Sequence, residues 1–173
     1  MRSGREDIFT MAEAMSRHSA DVDIYHFGDL KGLGSRHNVV HWGDSCKEPR
    51  IAMAGHHRAL YYLMGGDPRI GDAMDDVKDA DYATLNMDPL NMDPLRYFYK
   101  KEEMKLPTHA RSGPDWSTYC SNWYTAWERD NDNHYRDKIV TGINDLKKSP
   151  MRMISGSNYE YDPETGQRLI QSR

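Results

Sequence analysis

The stretch YYLMGGDPRIGD, residues 61–72, limits the fold of this chain more than any other. A run with helical apolar spacing ends on two glycines, and a second helix starts at once. Gly65 and Gly66 suit a left-handed C-cap, Asp67 an N-cap, and Pro68 the first helical position, where its missing N–H leaves nothing unsatisfied. With so short a link, the second helix folds back along the first, which is an αα-hairpin. The pattern recurs faintly 65 residues later, where DNHYRD (132–137) shares with DPRIGD (67–72) an Asp, an apolar or aromatic residue three on, and an Asp five on. Repeated αα-hairpins follow from that match.

The rest of the chain reads around this frame as four or five helices. Ile8, Met11, Ala12 and Met15 repeat at helical spacing after Ser3-Gly4-Arg5-Glu6, which has the form of a capping box. Residues 19–50 are polar, contain four glycines and predict mostly loop. Pro49 marks the start of a helix through RIAMAGHHRALYYLM, with Met53, His57, Leu60, Tyr61 and Met64 on one face and Ala52, Ala59 and Leu63 on another. Ile70, Ala73, Met74 and Val77 carry the next helix. A connector over 86–113 includes the perfect duplication NMDPLNMDPL (86–95), which fits slippage in a tolerant loop. Trp116, Tyr119, Cys120, Trp123 and Trp127 then form one stripe, and Tyr135, Ile139, Ile143 and Leu146 mark a last helix over 133–147. Beyond Pro150 the pattern changes to strand, turn, strand, with Asp162–Gly166 as the turn of a β-hairpin over about 154–170.

Composition narrows the function classes. The hydrophobic fraction of 38% and mean hydropathy of −0.89 are low for a self-contained globule of 173 residues, yet eleven Tyr and four Trp exclude a disordered chain. A formal charge of −4 without a basic block argues against nucleic acid as a partner. No apolar run is long enough to span a bilayer. Cys46 and Cys120 make neither a disulfide framework nor a CxxC pair, and read as small buried residues.

Polar chemistry concentrates in DVDIYHFGDLKGLGSRHNVVHWGDSCKEPR, residues 21–50. His37, His41 and Asp44 have the spacing of metal ligands on one helix face. Val39, Val40 and the flanking Gly32, Gly34 and Gly43 oppose that helix, and no Glu follows His37, so neither a metal nor a cofactor is expected. Acid–base work on a sugar fits better. Eliminating across a uronate needs a base such as His or Tyr and a group that stabilises the enediolate, whereas hydrolysis needs two carboxylates. The catalytic candidates are Tyr25, His26, His37, His41, Asp44 and Glu48, with Asp21 and Asp23 as a further carboxylate pair. Arg36 and Arg50 suit a substrate carboxylate, Trp42 and Trp116 suit sugar faces, and Arg111 and Asp115 flank Trp116. Against these stand plain readings: His57 as a core histidine, the Trp116–Trp127 stripe as core, and the charges as a solvated face.

Four segments carry a resemblance: SRHSADVDIYHFGDLKGLGSRHNVVHWGDSCKEPR, YYLMGGDPRIGD, RSGPDWSTYCSNWYTAWERDNDNHYRDKIVTGI and GSNYEYDPETGQ. Over roughly residues 8–168 the chain resembles rhamnogalacturonan exolyase-like proteins, large bacterial proteins with an (α/α)-toroid of the six-hairpin glycosidase kind. The resemblance implies a mainly α fold, part of an (α/α)6 toroid, acting on a plant or microbial polysaccharide, and assigns no catalytic residue. A six-hairpin toroid needs about twelve helices. The expectation is therefore a partial toroid domain over 1–173, with helical hairpins over about 4–148 and the β-hairpin after them. Met1 would be an internal methionine of a longer, exported parent, the remainder of that parent a partner, and the isolated chain only marginally stable. Two functions stay open: a lyase or hydrolase of uronate-containing polysaccharide, or a non-catalytic helical-hairpin module binding glycan or protein.

Overall fold

The computed structural model describes residues 4–34, 52–86, 101–150 and 158–169. Its helices are α1 (Glu6–Val22), α2 (Arg58–Leu63), α3 (Pro68–Lys78), the single turn α4 (Ala83–Asn86), α5 (Ser117–Asp130) and α6 (Asn133–Lys148). The strands are β1 (Thr108–Arg111), β2 (Asn158–Tyr161) and β3 (Arg168–Leu169).

Both hairpin turns form as their residues dictate. Gly65 and Gly66 take φ of 71° and 86°, Asp67 accepts the Arg69 N–H at 3.0 Å, and Pro68 opens α3. At the matching positions, Asn131 is left-handed at φ 55° and Asp132 accepts the His134 N–H at 2.9 Å to open α6. The correspondence continues into the packing: Ile70 and Tyr135, Ala73 and Lys138, and Val77 and Gly142 are all buried. The described residues therefore hold two equivalent hairpins, α2–α3 and α5–α6, joined through contact of α3 with α5.

Two apolar clusters make the core. Ile70, Ala73, Met74 and Val77 of α3 meet Ala20, Ile24, Ala52 and Ala54. Tyr119, Trp123 and Ala126 of α5 meet Tyr135, Leu146, Ala110, Tyr159 and Tyr161. Asn122 stitches the two layers, accepting the Ala54 N–H at 2.8 Å and donating to the Val77 carbonyl at 3.0 Å.

The antiparallel sheet runs β1–β2–β3, so the expected C-terminal hairpin has a third strand, and it comes from within the 86–113 connector. Four residues are too few to show a period-two pattern, and the partner of β1 lies some 50 residues on. The helix expected from Pro49 to Met64 is broken: Ala54–His56 is a 3₁₀ turn and α2 starts only at Arg58. Asn122 captures the Ala54 N–H there, and a Cβ at Gly55 would stand 3.2 Å from Ser121 Oγ, so contact with α5 overrides helical propensity. At the N-terminus, Arg5 rather than Ser3 is the N-cap, with no side-chain cap bond. Helix α1 also turns Ser16 and Ala20 inward, while the stripe of Ile8, Met11 and Met15 faces out. It runs on to Val22, three residues beyond the start of the expected loop.

Candidate functional site

The described part of the polar stretch, residues 23–34, doubles back on itself. Tyr25 N–H bonds to the Leu33 carbonyl at 3.0 Å and Gly32 N–H to the Tyr25 carbonyl at 2.8 Å. Gly32 has φ 82°, and a Cβ there would meet the Asp76 carbonyl oxygen at 2.6 Å and the Ala80 Cβ at 2.8 Å. Only glycine lets the loop lie this close to α3. The loop thereby delivers His26 and Lys31 to one carboxylate: His26 Nδ1 is 2.7 Å from Asp76 Oδ2, and Lys31 Nζ is 3.1 Å from Asp76 Oδ1.

Asp76 and Lys31 line a cleft of about 260 Å³ together with Asp29, Asp75, Asp79 and Tyr82. Three of the wall groups are anchored from outside the cleft. Asp75 pairs with Lys78 at 3.1 Å and Arg129 at 3.3 Å, and Asp79 accepts the Tyr135 hydroxyl at 2.9 Å. Tyr82 donates to Glu164 Oε2 at 2.7 Å, and burial together with Glu164 pushes its phenol well above the ordinary tyrosine range. Tyr82 therefore keeps its proton, which stays committed to Glu164 and leaves the phenol oxygen only as an acceptor toward the cleft. With Nδ1 engaged by a carboxylate, His26 has Nε2 as its remaining acid–base atom.

The other expected site residues divide into two groups. Arg36, His37, His41, Trp42, Asp44, Glu48 and Arg50 lie outside the described residues, as does Cys46. Tyr25 is half-buried against the core rather than on the cleft wall. Arg111, Asp115 and Trp116 come together where β1 enters α5, and none of the three lines the cleft beside His26. Asp115 takes the Arg111 backbone N–H at 2.8 Å and its guanidinium at 2.8 and 2.9 Å, which fastens the turn. Trp116 is 4% exposed, with its ring against Gly142 and the Arg168 guanidinium 4.5 Å above it, a core position rather than the cleft position expected of it.

A family model described as "PcRGLX-like protein C-terminal alpha/alpha toroid domain" matches residues 1–173. The chain belongs to that family. It is the exolyase-like toroid family that the four sequence segments resemble. A Bacillus subtilis (strain 168) protein named "Uncharacterized protein YetA" is 58% identical over 164 residues, which are 95% of this chain. The chain spans 18% of the length of that relative.

Within this PcRGLX-like toroid domain, the cleft residues that sequence reasoning missed are Asp75, Asp76, Asp79 and Tyr82. Their signal was the acidic run DAMDDVKDADY (72–82), which places Asp72, Asp75, Asp76 and Asp79 at helical intervals on and just past α3. Nothing in the run announces that His26, fifty residues earlier, faces it. Among the described residues no group of three or more His, Cys, Asp or Glu side chains is arranged to hold a metal ion. No described helix is long and apolar enough to cross a membrane.

Proposed function

We propose that the chain contributes a substrate cleft to a carbohydrate-active enzyme that cleaves glycosidic bonds in a uronate-containing polysaccharide by elimination. The observation that carries this reading is the contact of exposed His26 with Asp76, itself a lining residue of an open cleft, in a chain of the exolyase-like toroid family. In an elimination, the base removes the proton from the carbon beside the uronate carboxylate, and the bond to the leaving glycosidic oxygen breaks. Asp76 holds the ring through Nδ1, so Nε2 is the atom of His26 that would take that proton when the imidazole is neutral. Lys31, whose ammonium keeps further N–H donors beside its contact with Asp76, is the described group placed to bind a substrate oxygen atom, while the Tyr82 proton is committed to Glu164. Arg36 and Arg50 remain the candidates for the uronate carboxylate.

A second reading, glycoside hydrolysis, is favoured by one specific observation. Asp29, Asp75, Asp76 and Asp79 rim the same cleft, and hydrolysis uses a pair of carboxylates where elimination needs none. Incubating the full-length Bacillus relative with rhamnogalacturonan and with polygalacturonate separates the two. Elimination produces an unsaturated sugar that absorbs in the near-ultraviolet. Release of reducing ends without that absorbance assigns hydrolysis, and binding without turnover of either polymer assigns a non-catalytic module.

A further inference from the structure

We infer that α2 and α5 together carry a saccharide-binding platform, separate from the cleft, that takes a neutral pyranose unit of a polysaccharide. Two pairs of side chains build it: Arg58 and Tyr62 on α2, Tyr124 and Glu128 on α5. A spacing of four residues sets each pair on one face of its helix. The pairs lock across the two helices. Arg58 Nε donates to Glu128 Oε2 at 3.0 Å, Arg58 Nη2 donates to the same oxygen, and the Tyr62 hydroxyl donates to it at 2.8 Å. The Arg58 guanidinium lies over both rings, 5.5 Å from the Tyr62 centroid and 5.2 Å from that of Tyr124. Tyr61 and Trp127 brace the two rings nearly at right angles, with interplanar angles of 78° and 77°.

The cluster holds two aromatic rings still in water. Tyr62 is 46% exposed and Tyr124 45%, yet the guanidinium and the bracing rings fix both. Rings ordered in advance bind without a further entropy cost, and their negative faces attract the C–H face of a pyranose. The polar groups beside them complete the match. All three hydrogen bonds of the cluster fall on Glu128 Oε2, so Glu128 Oε1 and Arg58 Nη1 have no partner among the described residues. An acceptor and a donor side by side suit two neighbouring sugar hydroxyls, each of which both gives and accepts. Charge selects a neutral sugar. Glu128 neutralises Arg58, and Asp75 neutralises the next cation, Arg129, so the cluster keeps no net charge for a uronate or a phosphate. None of the four residues lines the cleft. The platform stands beyond its Asp75 wall, because Tyr61 lies under Arg129 at 5.2 Å and Arg129 bonds to Asp75 at 3.3 Å. The inference does not depend on which reaction the cleft performs.

The test uses the full-length Bacillus relative carrying this chain in place of its aligned segment. Affinity electrophoresis through neutral galactan, mannan and β-glucan, with polygalacturonate alongside, reads binding. At least one neutral polymer should retard the protein. Tyr62→Ala and Tyr124→Ala should each weaken that binding about tenfold at an unchanged circular dichroism spectrum, the loss of one stacking contact. Tyr62→Phe keeps the ring and should stay within about twofold. Hydroxyl-radical footprinting of the unsubstituted protein checks the same point without a variant, since the bound polymer should shield Tyr62 and Tyr124. No retardation by any neutral polymer overturns the inference. So do stronger retardation by polygalacturonate, alanine variants that bind as before, and tyrosines that stay unshielded. Neither measurement reads turnover, so the outcome is separate from that of the uronate assay.

Discussion

His26 and His57 show how differently one residue type is used thirty residues apart. His26 is partly exposed, oriented by Asp76 and open at Nε2, so His26→Ala in the active parent should lower turnover by about 10²–10⁴-fold while leaving the circular dichroism spectrum unchanged. Steady-state rates on the uronate polymer check this, and retained turnover would remove His26 from the machinery. His57 is fully buried, and both ring nitrogens lack a hydrogen-bond partner among the described residues. Burial, with the neighbouring His56 adding to it, brings its pKa down from 6.5 to about 4. Between those values the unfolded chain binds more protons than the folded one, so stability is complete above the upper value and falls as pH drops toward the lower. The loss amounts to something on the order of 3 kcal/mol. Urea titrations between pH 7 and pH 4 should show this acid limb, and His57→Leu should flatten it.

At the scale of elements, close approach and capping decide the arrangement. Asp67 and Asp132 each satisfy one otherwise open N–H at the start of a helix. Asp67→Ala and Asp132→Ala should each cost about 1 kcal/mol, and the double variant about the sum, because the caps share no partner. The turn that leads into α5 meets α6 so closely that a Cβ at Gly142 would stand 2.6 Å from Trp116 Nε1 and 2.9 Å from its ring. Alanine gains about 1 kcal/mol of helix propensity over glycine, but overpacking a buried ring costs about 1–3 kcal/mol. Gly142→Ala is therefore expected to lower the urea midpoint at unchanged slope, and a raised midpoint would mean that Trp116 can withdraw.

Across the whole molecule, one buried polar knot ties the sheet to both hairpins. Asp81, in the turn after α3, accepts from Lys138 Nζ of α6 and from the Tyr161 hydroxyl of β2, both at 2.6 Å. Lys138 Nζ also lies 4.6 Å from the Trp123 ring centroid and 5.0 Å from that of Tyr82. Burial pushes the Asp81 carboxyl upward, and Lys138 with Tyr161 opposes that push. Removing one partner leaves an uncompensated buried charge, so Lys138→Met should cost about 3–5 kcal/mol. Adding Asp81→Leu should recover part of that loss, since an apolar pair leaves no charge stranded. Thermal denaturation of the single and double variants reads both effects. The carboxylates at Asp81 and Asp76 sit in opposite environments: the first is sealed among aromatic rings, the second opens on a cleft.

Local chemistry alone determined the hairpins. Gly-Gly-Asp-Pro and Asn-Asp set left-handed C-caps and aspartate N-caps whatever surrounds them, and apolar spacing named the buried faces of α3 and α5, whereas α6 buries Lys138 and Gly142 and leaves Ile143 exposed. The β2–β3 turn was legible for the same reason, since Asp162 through Gly166 close it among themselves. What tertiary structure decided was every contact between distant segments. These include the four-residue strand β1, the break of the helix before Arg58, the burial of Trp116, and the meeting of His26 with Asp76. Each depends on a neighbour some 50 residues or more away, and a pattern read in a local window carries no information about which distant backbone will offer the hydrogen bond or the space.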